Sequence, residues 1–141
     1  MDELYRDQIL EHYKRPHNFG HIEGPDLEFE DTNPFCGDEQ RVTIRLDSDD
    51  RVAEIAFEGK GCAISTAATS LLTDEVVGMS REELLRLPKD YVLELLGIDI
   101  SATRMKCAML GLKIVKSAAL GQPAEWEDEG EAGSPAEAAT L

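Results

Sequence analysis

Alternation of apolar and polar residues in the middle of the chain is the feature that most constrains its fold. In two runs on either side of the turn-forming segment 47–50, apolar side chains occupy every second position: Val42, Ile44 and Leu46, then Ala53, Ile55 and Phe57. Successive side chains of a β-strand point to opposite faces, so each run predicts a strand with one buried face. The short polar connection predicts that the two strands form an antiparallel hairpin.

Helical patterns lie on both sides of this hairpin. Residues 2–15 carry Tyr5, Ile9 and Tyr13 at four-residue spacing, and Pro16 ends that pattern. Four later segments also have helical spacing or capping residues: 63–78, 80–87, 90–96 and 103–121. The stretch between Pro16 and Gly37 is rich in proline and glycine, and predicts a loop with a short edge strand around residues 27–30.

Charge and composition exclude several classes of partner. Acidic residues outnumber basic ones 29 to 14, for a net charge of −15, which argues against binding nucleic acid or an anionic membrane. No segment approaches the roughly 20 apolar residues of a membrane span, and the charged N-terminus does not resemble a signal peptide. We therefore expect a cytoplasmic protein with one domain over 1–121. Residues 122–141 contain six acidic and no basic side chains and predict a disordered tail.

The three cysteines are each predicted at a turn or a helix start. Cys36 follows Asn33-Pro34-Phe35, Cys62 follows Gly61 at a strand-to-helix junction, and Cys107 lies in the first turns of the last helix. Such positions bring sulfur close to helix-terminal amides, which favour the thiolate. Three cations lie within three residues of a cysteine and would lower the thiol pKa values further: Lys60, Arg104 and Lys106.

These residues allow more than one kind of site. Three thiolates and the carboxylate of Asp38 suit tetrahedral zinc, and the same thiolates suit an iron–sulfur cluster. The separations of 26 and 45 residues match no zinc-finger spacing. Free cysteines are often small buried core residues, so a packing role for Cys62 and Cys107 stays open at this point.

Four ordered segments resemble the signatures of the IscU/SufU family, which acts in iron–sulfur cluster assembly: DELYRDQILEHYKRPHNFG, NPFCGD, GKGCAISTAATSLLTDEV and RMKCAML. The resemblance covers about residues 2–121. It implies an α+β fold in which a small three-stranded antiparallel sheet packs against several helices. It also implies that Cys36, Asp38, Cys62 and Cys107 form the metal or cluster site.

Two features point to different branches of that family. Lys106 stands before the third cysteine where IscU-type scaffolds carry histidine, and the R-x-K-C pattern at residues 104–107 resembles SufU. The interval from Cys62 to Cys107, however, lacks the insertion usual in SufU. The residue before the third cysteine changes what can coordinate a metal, whereas a connection between helices tolerates deletion. The sequence therefore predicts a SufU-like sulfur acceptor.

Three hypotheses for the function remain. The first is a zinc-binding carrier in which Cys36 accepts persulfide sulfur from a cysteine desulfurase and passes it to a downstream scaffold or acceptor protein. The second is a scaffold that binds iron or a [2Fe–2S] cluster through Cys36, Cys62 and Cys107. The third is a structural zinc domain for protein binding. None of these is a self-contained enzyme.

The histidines supply one more pattern. His12, His17 and His21 cluster in the first helix and the following loop, which suggests a second metal site. They fall in a segment of the family that has no ligand role, so a surface or packing role is the prediction.

Overall fold

The β-hairpin predicted from the alternating runs forms two of the three strands of a single sheet. The computed structural model describes residues 2–33 and 37–122, so Cys36 and the predicted tail beyond Gln122 lie outside the described residues. The elements, in chain order, are α1 (Asp2–Lys14), β1 (Leu27–Asn33), β2 (Asp38–Leu46), β3 (Val52–Lys60), α2 (Ala63–Val76), α3 (Arg81–Leu85), α4 (Lys89–Leu96), a 3₁₀ turn (Ala102–Arg104) and α5 (Met105–Leu120).

The sheet has the order β1-β2-β3, and both pairings are antiparallel. The predicted α+β class with a three-stranded antiparallel sheet is therefore confirmed. In the ladder, Ile44 pairs with Ile55 and Val42 with Phe57, and all four side chains are buried. Two residues earlier on β2 the same face carries Gln40, which is 3% exposed. The face that builds the apolar core thus becomes polar toward the start of β2.

One part of the alternation was predicted incorrectly. Ala53 was expected on the core face with Ile55, but it is exposed, and Val52 is buried instead. The register explains this, because Arg45 pairs with Glu54 whereas Leu46 pairs with Val52, which leaves Ala53 as an extra residue. Such a β-bulge changes the alternation across it, so Val52 before the bulge lies on the same face as Ile55 and Phe57 after it.

Helices cover one side of the sheet. The last helix, α5, packs against β1 and β2, and α2 contacts β3, α1, α4 and α5. The predicted capping box of α3 is present in both directions between Ser80 and Glu83. Gly97 and Gly121 close α4 and α5 in the left-handed conformation that glycine adopts without strain.

The first helix uses a different buried face from the predicted one. Ile9 is 5% exposed as expected, but Tyr13 is 43% exposed, and His12 at 7% takes the inward position. None of the described helices is long and apolar enough to cross a membrane.

Close contact between α2 and α5 depends on Gly111. A methyl group on Gly111 would overlap Thr69 Oγ1 and lie 2.9 Å from Thr69 Cβ. We expect Gly111→Ala to lower the free energy of unfolding by up to about 2 kcal/mol, because overpacking costs about 1–3 kcal/mol and the gain in helix propensity offsets about 1 kcal/mol of it. Urea denaturation measures this.

Thr69→Ala supplies the control for this contact. In a double-mutant cycle it should recover part of the loss, because it removes the overlapping hydroxyl. Stability of Gly111→Ala equal to that of the wild type would show that the helices separate freely.

Candidate functional site

Three elements bring Asp38, Cys62 and Cys107 together at one end of the sheet. Asp38 begins β2, Cys62 follows the end of β3, and Cys107 lies in the first turn of α5. One ligand atom from each residue lies within 4.8 Å of the others. Asp38 and Cys107 are 1% and 0% exposed, whereas Cys62 is partly exposed. The cluster is therefore buried at Asp38 and Cys107 and open to solvent at Cys62.

Asp38 has one carboxylate oxygen in a hydrogen bond and one without. Its Oδ1 accepts the backbone N–H of Cys62 at 3.0 Å, which ties the start of β2 to the junction between β3 and α2. Its Oδ2 is buried, and no described residue donates a hydrogen bond to it. Burial of a polar oxygen without a partner costs free energy, so Oδ2 is suited to receive a cation.

Cys62 is the N-cap residue of α2, as the sequence predicted for a strand-to-helix junction. Its Sγ accepts the backbone N–H of Ser65 at 3.5 Å. The Ser65 hydroxyl donates back to the carbonyl oxygen of Cys62 at 3.2 Å. The sulfur of Cys62 therefore lies at the N-terminal, partly positive end of α2.

Cys107 is held between α5 and the end of β1. Its Sγ accepts a long hydrogen bond, 3.9 Å, from the side-chain amide of Asn33. Asn33 in turn pairs with Asp38 in the β1–β2 ladder. Neither Cys107 nor Cys62 is in a disulfide.

A buried network of hydrogen bonds joins β2 to α2 next to this cluster. Thr69 Oγ1 donates to Gln40 Oε1 at 2.7 Å, and Gln40 Nε2 donates to the carbonyl oxygen of Ser65 at 3.3 Å. All three residues are buried. Because every one of these hydrogen bonds joins β2 to the first turns of α2, the network fixes the position of Asp38 relative to Cys62. Sequence reasoning did not identify these residues, since their partners are 25 to 29 positions away.

The other predicted site residues are less closely defined. Lys60 ends β3, Arg104 ends the 3₁₀ turn and Lys106 follows in α5, so all three lie next to the cluster in the chain, and all are exposed. Cys36 lies outside the described residues. Its neighbour Gly37 donates its N–H to the carbonyl oxygen of Asn33 at 2.7 Å.

The histidines separate into two groups. His12 and His17 face each other with ring centroids 4.2 Å apart, and Asp74 of α2 completes a cluster with ligand atoms within 4.8 Å. His21 is instead 3.5 Å from Glu58. Burial is the largest cause that lowers the pKa of His12, and the neighbouring His17 adds to it. Asp74 was missed because nothing in the sequence links it to a histidine 57 residues earlier.

Comparison with known proteins supports the predicted family. Residues 4–125 match the family described as NifU-like N terminal domain. The IscU iron–sulfur cluster assembly scaffold protein of Streptococcus pyogenes serotype M1 is 42% identical over 87 residues, which cover 62% of this chain and 54% of that relative. The chain thus spans about half of that protein's length.

A relative named SufU and a solved structure of a SUF-system protein match over more of their own length. The zinc-dependent sulfurtransferase SufU of Bacillus subtilis strain 168 is 33% identical, covering 82% of this chain and 89% of that protein. A crystal structure of a candidate SUF-system scaffold protein from Fervidobacterium islandicum AW-1 has a TM-score of 0.69 at 24% identity, covering 80% of this chain and 94% of that one. The crystal structure supports the fold alone.

Proposed function

We propose that this chain, which belongs to the family of NifU-like N-terminal domains, accepts sulfur on Cys36 for iron–sulfur cluster assembly and binds zinc beside it. In this proposal Asp38, Cys62 and Cys107 are zinc ligands, and Cys36 is the fourth ligand in the resting protein. The observation that carries the proposal is Asp38, whose buried Oδ2 has no hydrogen-bond partner among the described residues and whose carboxylate lies in the same cluster as two cysteine thiols.

The donor set fits zinc. Thiolate sulfur and carboxylate oxygen are ordinary zinc ligands, and four of them complete a tetrahedral site. Cys36 is two residues from Asp38, so its backbone is within about 7 Å of the carboxylate-bearing residue. Zinc bound there would keep its cysteine ligands deprotonated at neutral pH.

Sulfur acceptance is assigned to Cys36. Its thiolate attacks the outer sulfur of a persulfide on a cysteine desulfurase, and a new S–S bond forms on Cys36. The old S–S bond breaks and leaves a thiolate on the desulfurase. Arg104 and Lys106, which are exposed and precede Cys107 in the chain, add positive charge on the Cys107 side of the proposed site.

This step is half of a relay, so the protein depends on partners on both sides. A desulfurase provides the sulfur, and a downstream scaffold or acceptor removes it. The Bacillus subtilis relative is named a zinc-dependent sulfurtransferase. The proposed activity is therefore sulfur transfer that requires a partner protein on each side.

A scaffold function is the second candidate. The relative from Streptococcus pyogenes is named an assembly scaffold, and the interval from Cys62 to Cys107 is of the shorter, IscU-like length. On this reading Cys36, Cys62 and Cys107 hold iron or a [2Fe–2S] cluster as cargo. A purely structural zinc domain fits less well, because closed structural sites use cysteine and histidine in place of a carboxylate.

Metal analysis of untagged protein purified without oxygen separates these candidates. We expect about one zinc ion per chain and a colourless protein, because three thiolates and one carboxylate complete four-coordination. A protein that instead carries iron and sulfide with strong visible absorption is a scaffold. Zinc content unchanged by Cys62→Ala would contradict the ligand assignment.

Gly61 offers a milder test of the same site. A methyl group on Gly61 would overlap Ser65 Oγ and lie 3.0 Å from Asp38 Oδ1, the oxygen that accepts the Cys62 N–H. We expect Gly61→Ala to weaken zinc binding about tenfold or more, as changes around metal ligands do. Competition with a chromophoric chelator measures the affinity.

Ser65→Ala is the matched control for this test. Alone it should change zinc affinity less than Gly61→Ala, since it leaves the Asp38 carboxylate in place. If Gly61→Ala bound zinc as tightly as the wild type, the position of the Asp38 carboxylate would not depend on its close approach to Gly61.

A further inference from the structure

The structure holds a second group of side chains whose ligand atoms lie close enough together to hold a metal ion, remote from the cysteines. His12 comes from α1, His17 from the loop after it and Asp74 from the last turn of α2. Asp74 is twelve residues after Cys62 in the chain, which is about 18 Å along a helix. The two groups therefore cannot share one ion.

We propose that His12, His17 and Asp74 form a second metal site that binds an exchangeable divalent transition ion such as zinc. The proposal does not depend on the function assigned to the cysteines. Two imidazole nitrogens and one carboxylate oxygen are borderline ligands, which suit zinc or ferrous iron better than magnesium or calcium. Three protein ligands leave a coordination position for water.

The imidazoles of this site are oriented by their surroundings. A hydrogen bond of 2.6 Å joins His12 Nδ1 to the hydroxyl of buried Ser70. The same hydroxyl accepts the backbone N–H of His17 at 2.8 Å, so one serine positions both histidine residues. Fixing the His12 ring through Nδ1 leaves its Nε2 for a metal, the arrangement common around metal-bound histidine.

The carboxylate is oriented as well. Asp74 Oδ2 is 2.6 Å from His17 Nδ1, and Asp74 Oδ1 accepts the side-chain amide of Asn18 at 3.0 Å. A cation bound between these two side chains would take the place of their hydrogen bond.

The exposure of this group to solvent favours an exchangeable ion over a structural one. His12 is buried at the base, whereas the side chains of His17 and Asp74 are 48% and 40% exposed. An ion can thus enter from solvent without unfolding, and substitutions at the two exposed positions should leave the fold intact.

Zinc titration of untagged protein by calorimetry tests the proposal. Wild-type protein should take up a second, weaker equivalent after the cysteine site is filled. His17→Ala and Asp74→Asn should each weaken that equivalent by more than about tenfold, and leave the tight one unchanged. The matched control is His21→Ala, which removes a histidine of the same loop but outside the cluster, and should keep both equivalents. Excess magnesium should not compete.

Several results would overturn the proposal. They are a single equivalent in the wild type when the cysteine site is filled, a weak equivalent that survives both His17→Ala and Asp74→Asn, its loss in His21→Ala, or its displacement by magnesium. In each case the contacts among these side chains serve only to clamp the loop onto α2. If the cysteine site itself takes no zinc, the weak equivalent should still appear as the sole one and should still depend on His17, so the two proposals fail separately.

Discussion

Replacing Cys36 by serine is expected to abolish persulfide formation on this protein while most of the bound zinc remains. Cys62 and Cys107 are anchored at the starts of α2 and α5, and their sulfurs accept hydrogen bonds from Ser65 and Asn33. Cys36 instead precedes Gly37, whose backbone has φ of 78°, a conformation open to glycine. We therefore assign the moving sulfur to Cys36, because its departure leaves three ligands and a water position on the ion.

Mass spectrometry after incubation with desulfurase and cysteine is the direct measurement. Wild-type protein should gain one sulfur atom on Cys36, and Cys36→Ser should gain none and should no longer stimulate the desulfurase. Zinc content, measured on the same samples, is the control for an intact site. A persulfide found mainly on Cys62 or Cys107 would contradict the assignment.

Local patterns predicted most of the elements, because each pattern has its own physical cause. The capping box at Ser80 and the glycines that end α4 and α5 lie where sequence reasoning expected them. The position of Ala53 was predicted incorrectly because a bulge arises from the pairing of two strands, which alternation within one strand does not contain. The edge strand β1 is longer than predicted for the same reason, since residues 31–33 are strand only through their pairing with β2.

The candidate site was likewise predictable from the sequence only in part. The cysteine motifs predicted Asp38, Cys62 and Cys107 as site residues, and the structure brings their ligand atoms within 4.8 Å of one another. The sequence did not indicate that Asp38 would bury one oxygen without a hydrogen-bond partner among the described residues. It also did not link His17 to Asp74, because that contact depends on how the loop after α1 packs on α2. Distant pairs of this kind are set by tertiary packing.

Cys107→Ser is expected to remove zinc and sulfur acceptance together. Cys107 is fully buried, and its sulfur lies in the cluster with the carboxylate of Asp38, one oxygen of which lacks a hydrogen-bond partner among the described residues. A serine hydroxyl is a much poorer zinc ligand than a thiolate, so we expect the affinity to fall by more than about a hundredfold. At a fixed zinc concentration above both dissociation constants, that loss removes about 2.7 kcal/mol of zinc-linked stability.

Thermal unfolding with and without zinc distinguishes loss of a ligand from damage to the core. Zinc should raise the Tm of the wild type clearly more than that of Cys107→Ser, whereas the two metal-free proteins should unfold at similar temperatures, because serine and cysteine are close in size. Cys36→Ser is the matched control, since it changes the same atom at the proposed site and should keep much of the zinc-induced rise. An equal rise in Cys107→Ser and the wild type would mean that the buried thiol is a core residue, the alternative that the sequence left open.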